Sequence, residues 1–165
     1  MASVVELVRA FELLYDSIWE RDFRKSLDLH VKSERELAPL VRTFLLGYFG
    51  ALEPECWSAL PGALTGWGRI DFVIGGTAVE LAVRRPGGPK GHLLPSCNET
   101  EVKKLLKHDG KALLVLYDFA VDEISAKQLG RYRKLPSLGK GPHNKSAFNV
   151  AYVHRVARHR MRVVP

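Results

Sequence analysis

An α/β domain, a central mixed β-sheet flanked by helices, is the fold class this sequence predicts, and three observations carry the prediction. Val4, Leu7, Val8, Phe11, Leu14, Tyr15 and Ile18 recur at the spacing of one helical face. Gly75-Gly76 separates two apolar runs, Ile70–Ile74 and Ala78–Arg84, as the two-residue loop of a β-hairpin would. Lys111–Phe119 is apolar almost throughout, the mark of a strand covered on both faces. Helical and strand patterns alternate along the rest of the chain, and 165 residues make one domain, 1–165, with a sizeable core.

The elements follow in order. The first helix is predicted from Val4 to about Leu29, an extra N-terminal extension over residues 1–30, ahead of a core over 33–156. Ser33-Glu34-Arg35-Glu36 is a capping-box pattern that opens a second helix, Glu34 to about Tyr48. That helix buries Leu37, Leu40, Val41, Phe44 and Leu45, with Pro39 loosening its first turns. Residues 51–66 read as loop with a short strand. After the hairpin, Arg85-Pro86-Gly87-Gly88-Pro89 breaks the second strand off. Asn98 or Thr100 caps a helix over Glu101–His108, and Gly110 ends it. A helix over Asp122–Lys134 and a last strand over Phe148–Val156 precede an irregular basic tail, 157–165.

Composition narrows the function classes. The net charge is +7, from 25 Lys and Arg against 18 Asp and Glu. That excess favours a polyanionic partner, most often nucleic acid, DNA or RNA. The basic residues concentrate in 131–146 and 154–162, where a solvated basic surface is the plainer alternative. No apolar run approaches the roughly 20 residues of a membrane span. The N-terminus lacks the basic and apolar regions of a signal peptide. Cys56 and Cys97 make no disulfide framework, so a reducing cytoplasm is the expected location.

The hairpin places two acids where a sheet interior is expected. A Gly75-Gly76 loop sets Ile74 against Thr77, Val73 against Ala78, Phe72 against Val79 and Asp71 against Glu80. One face then collects Ile70, Phe72, Ile74, Val79, Leu81 and Val83. The other collects Arg69, Asp71, Val73, Ala78, Glu80, Ala82 and Arg84. Opposed residues have Cβ atoms about 4.5–5.5 Å apart, where like charges repel. A raised pKa, Arg69 or Arg84 nearby, or a divalent cation would offset the repulsion. Two carboxylates on rigid strands suit Mg²⁺, which takes few protein ligands. A solvent-facing hairpin with its acids paired to the two arginines is the bland alternative.

Asp71, eight intervening residues, and Glu80-Leu81-Ala82 resemble the signature of the PD-(D/E)XK nucleases, an acid followed by (D/E)-x-K on the adjacent strand. The element order from Glu34 to about Leu116 is similar to that family's core. The resemblance implies a restriction-endonuclease-like core and a metal-dependent DNA endonuclease. Asp71, Glu80 and the Leu81 backbone carbonyl would hold Mg²⁺, with Mn²⁺ substituting. Glu36 sits where many members carry a further acid, with Glu34 as the alternative. Metal-assisted hydrolysis of a phosphodiester by water would follow, with no covalent intermediate.

One position departs from the pattern: the family's lysine is Ala82. Three explanations compete. The lysine has been lost to an inactivating substitution; the protein is a non-catalytic nucleic-acid-binding domain that retains the fold; or the cation has migrated to Arg84, Lys103 or Lys104. The first is the expectation, because both acids are intact, and it makes the chain as it stands catalytically disabled. Arg84, Arg85, Lys90, Lys103, Lys104, Lys107 and Lys140 are the expected contacts to the phosphate backbone.

Other signals weigh less. Gln128 and Tyr132 match a Q-x-x-x-Y pattern of some nucleases in this superfamily, yet another strand intervenes, and a plain surface helix is the preferred reading. Gly139-Lys140-Gly141-Pro142 lacks phosphate-loop spacing. Trp19, Trp57 and Trp67 are expected in core or interface. The apolar face of the N-terminal helix needs a partner, either its own domain or a second copy, and a homodimer is expected. An interaction module that binds an acidic protein is the remaining class.

Overall fold

The computed structural model describes residues 2–27, 34–59, 67–138 and 145–165. Ser33, Lys140 with its Gly-rich loop, and the side chains of Cys56, Trp57 and Trp67 lie outside the described residues.

Helix α1 spans Val4–Trp19 and starts at a reciprocal cap, with Ser3 Oγ accepting from the Glu6 N–H and Glu6 Oε2 from the Ser3 N–H. The single long helix predicted here is two. Glu20 takes an extended backbone, and a separate α2 follows at Arg21–Leu27. The fully buried stripe that fastens α1 to the sheet stops at Ile18, and Trp19 and Phe23 beyond it are only partly buried against the core. Helix α3 is Glu34–Phe49, close to expectation.

Six strands follow: β1 Glu53–Ala59, β2 Trp67–Ile74, β3 Thr77–Arg84, β4 Lys111–Asp118, β5 Phe148–His154 and β6 Arg158–Val163. They form one sheet in sequential order, with β3, β4 and β5 mutually parallel and the outer pairs antiparallel. The mixed sheet flanked by helices is therefore present. Two edges differ from the sequence reading. The segment expected to be mostly loop holds the full strand β1, and the basic tail is strand β6. Arg158 and Arg160 reach across to Asp16 and Glu12 on α1 at 2.5 and 2.6 Å, which ties the tail down.

Helix α4, Glu99–Lys107, connects β3 to β4. Asn98 stands at its N-cap position but donates backward to the His92 and Leu94 carbonyls instead of capping. The helix predicted over Asp122–Lys134 shrinks to α5, Ala126–Leu129, and a 3₁₀ turn over Gly130–Arg133. Ser125 and Gln128 cap it at its start, and Tyr152 accepts the Ile124 N–H, so the chain before Ser125 is already committed elsewhere.

The core has two layers. On one side, Leu7, Phe11, Leu14 and Ile18 of α1 and Leu37, Val41 and Leu45 of α3 pack on Phe72, Ile74, Val79 and Leu81. Each such side chain contributes about 1.5–3 kcal/mol by leaving water. Helix α1 thus belongs to the core rather than extending from it, and its apolar face is already used within the chain. That packing supplies one of the two partners the sequence reading allowed for this helix, its own domain. On the other side, Val102, Leu105 and Leu106 of α4 pack with Ala78, Ala82 and Leu114. Among the described residues no helix is long and apolar enough to cross a membrane.

The hairpin turns as predicted, with Gly75 and Gly76 at φ 55° and 78°, the left-handed values of a type I′ turn. Its ladder pairs Ile74 with Thr77, Val73 with Ala78 and Phe72 with Val79. Beyond that it departs from strict alternation. Ile70 packs in the layer of Ala78 and Ala82, not with Phe72 and Ile74, so the two strands cease to match at Asp71.

Candidate active site

Asp71 sits where the ladder ends. Its Oδ2 accepts the Leu81 N–H at 2.9 Å, so a side chain takes the bond at β3 that a regular ladder would assign to backbone. Glu80, the residue before, is 1% exposed. From α4, Lys104 Nζ donates to both Glu80 oxygens, at 3.0 and 3.1 Å. Glu34 at the start of α3 and Glu101, one turn before Lys104, face the same spot electrostatically. The gap between β2 and β3 thus lets groups from both layers of the molecule meet: Glu34 from the α3 side, Glu101 and Lys104 from the α4 side.

The charges are strongly coupled. Burial, then the neighbouring Asp71 carboxylate, push the Glu80 carboxyl up to about 9, against the pull of Lys104. Burial lowers the Lys104 ammonium, yet Glu80 and Asp71 together outweigh it and hold the amine protonated above its ordinary range. The carboxyls of Asp71 and Glu80 lie in hydrogen-bonding reach of each other. The Glu80 carboxyl therefore keeps its proton at neutral pH, with Lys104 donating to its oxygens. Burial, followed by Asp71 and Glu101, raises the Glu34 carboxyl to about 7 while it stays in contact with solvent.

Among the described residues no three His, Cys, Asp or Glu side chains converge as a ready metal cage. Asp71 and Glu80 make an all-oxygen pair, the donor type of a hard cation that keeps most of its own waters, and such an ion would have to displace the Glu80 proton.

The expected site residues divide clearly. Asp71, Glu80 and Lys104 come together, with Leu81 bonded to Asp71. Glu36 does not join them: it is exposed and off the cavity wall, two residues round the helix from Glu34, which does line it. Ala82 is 3% exposed and packed in the α4 layer, two residues along from Glu80.

Arg84 is corrected as a phosphate contact. It is 2% exposed and donates to Asp118, to the Gly88 carbonyl and to Asp122, so it cannot reach a ligand. Asp118 is fully buried and also accepts from Tyr152 OH and the Ala120 N–H. Arg84, Asp118 and His154 are register partners at the ends of three adjacent strands, where they lock the sheet. Lys90 is paired with Asp122 and Lys103 with Glu99, while Arg85 is exposed and Lys107 half-buried. Tyr132 is buried with its hydroxyl on the Leu93 carbonyl, and Gln128 serves a helix cap, so the two do not form a site.

Sequence reading missed Glu101, Arg35 and Arg42. The signal for Glu101 was its i, i+3 spacing to Lys104 on a helix whose opposite face is apolar. The two arginines lie on one stripe of α3 and line a cavity of about 480 Å³ whose other wall includes Asp71 and Leu81. Comparison of the chain with family models, curated proteins and solved structures finds no match.

Proposed function

We propose that this chain is a PD-(D/E)XK-like, metal-dependent DNA endonuclease with a restriction-endonuclease-like core, in which Lys104 supplies the cation missing at Ala82. The observation that carries the reading is the two-pronged contact of Lys104 with Glu80. An ammonium beside the second acid is what the strand lysine would provide, and here it comes from the helix across the same face. The order of the three explanations changes accordingly: a migrated lysine accounts for Ala82 without a lesion.

Asp71, Glu80 and the Leu81 carbonyl would hold Mg²⁺, which would polarise a phosphoryl oxygen and make bound water a better nucleophile. Lys104 would then turn from Glu80 toward the phosphate and balance the charge that builds on it. Glu34, which lines the cavity with Asp71 and whose carboxyl is raised above its ordinary range, is the acid that would take the proton from the attacking water.

The test is nicking of supercoiled plasmid in Mg²⁺ or Mn²⁺. The native chain is expected to cut, with Asp71→Asn and Lys104→Met each at least about 100-fold slower, the scale of a lost electrostatic contact in the transition state. A silent native chain that Ala82→Lys switches on would establish the disabled reading instead. Failure of every chain on plasmid, junction and single-stranded substrates would leave only a nucleic-acid-binding domain.

A further inference from the structure

Arg35 and Arg42 are seven residues apart on α3, so they project from nearly the same line on the helix, about 10.5 Å apart at 1.5 Å per residue. Ala38 lies between them, and no long side chain fills that interval on the cavity wall. Both arginines are exposed, and among the described residues neither makes an ion pair. Arg84, Lys90, Lys103, Arg158 and Arg160 are by contrast each neutralised by an acid of this chain. The cavity is cationic along α3 and anionic where Glu34 and Asp71 close it.

We infer that this groove is the seat of a nucleic-acid backbone, with Arg35 and Arg42 each binding a phosphate of a strand that runs on toward Asp71 at the groove's far wall. The inference rests on the nuclease reading and adds where the substrate lies: along α3, not beside Arg84 and Lys90. A polyanion approaching a cluster of carboxylates is repelled unless cations flank its path, and the two guanidiniums supply them on a rigid element. Guanidinium suits this task because its fork pairs with two phosphate oxygens while the helix holds its base fixed.

The experiment is fluorescence anisotropy of labelled duplex DNA, single-stranded DNA and RNA of one sequence, in EDTA, over a salt series. The Arg35→Gln/Arg42→Gln chain is expected to bind about 10-fold or more weakly, with the slope of log K against log salt reduced by nearly two. Lys127→Gln/Arg131→Gln, an equal charge change on the other layer of the sheet, should stay within about 2-fold of the native chain. Thermal melts should show all three chains equally folded. Native-like binding by the α3 variant, an equal loss in the control variant, or no binding of any nucleic acid by the native chain would each overturn the inference. The plasmid assay separates the two ideas. Cleavage that is indifferent to the α3 arginines removes the groove and keeps the nuclease. Binding that depends on them, with no cleavage in any metal, keeps the groove and removes the nuclease.

Discussion

Lys104 Nζ lies 3.0 Å from Glu80 Oε1 and 3.1 Å from Oε2, on a carboxylate that is 1% exposed. A helix and a strand that the sequence separates by an irregular loop are joined there by the one buried acid of the hairpin. Removing the ammonium leaves Glu80 to Asp71 alone. Lys104→Met is expected to destabilise the metal-free protein by about 1.5–3 kcal/mol, the scale of a charged hydrogen bond. Adding Glu80→Gln should recover most of the loss. A double-mutant cycle by urea unfolding reads the coupling, and additive losses would mean that the contact does not hold in solution.

The pH dependence has a definite sign. The folded chain keeps the Glu80 proton to about 9, while an unfolded glutamate releases it near 4.5. Between those values the folded state binds more protons, so metal-free stability falls as pH rises. Melting temperatures in EDTA should drop from pH 5 to pH 8.5, and Glu80→Gln should flatten that trend. Equal slopes in the two chains would exclude Glu80 as its source.

A divalent cation at the same acids must displace the Glu80 proton, so its binding should release protons and tighten with rising pH. Calorimetry with Mn²⁺ in buffers of different ionisation enthalpy measures that release. Asp71→Asn should abolish the heat. Proton-neutral binding, or binding that survives the substitution, would place the ion elsewhere.

The lock at the far end of the strands makes a contrasting forecast. Arg84→Met leaves Asp118 buried without its guanidinium, and the expected loss is about 3–5 kcal/mol of stability. Tyr152→Phe removes the 2.7 Å hydroxyl contact to Asp118 together with the acceptor of the Ile124 N–H, and should cost less, about 1–3 kcal/mol. Folded Arg84→Met protein should bind DNA as the native chain does. A large loss of affinity there would return Arg84 to the nucleic-acid interface.

Thr77 is fully buried, and its Oγ1 meets no hydrogen-bond partner among the described residues. Thr77→Val keeps the shape and the strand preference while removing a stranded hydroxyl. The melting temperature should hold or rise. A fall of several degrees would reveal a partner for that hydroxyl.

Much of this could be read in the chain itself. The period of α1, the hairpin register through Phe72 and Val79, and the doubly covered β4 are local patterns, in which neighbours a few residues apart decide the outcome. Asp71 and Glu80 were legible for the same reason, since a two-residue turn sets the spacing of whatever flanks it. Strand β6 and the full extent of β1 were not, because an edge strand needs only one partner and carries little of the apolar alternation that marks a buried one. The choice of Glu34 over Glu36 depended on how α3 is rotated against the sheet, which two acids in one helical turn cannot reveal.

The sequence by itself thus determined the alternation of elements, the hairpin and the two acids at its centre, because those follow from short-range stereochemistry and hydrophobic period. The tertiary structure alone decided what surrounds the acids. Lys104 reaches Glu80 only because α4 crosses the strand face on which Ala82 leaves room, and Arg84 is lost to the surface because Asp118 ends the neighbouring strand beside it. Such pairings join residues 24 and 34 positions apart. Packing between layers sets them, and no local pattern in the chain encodes it.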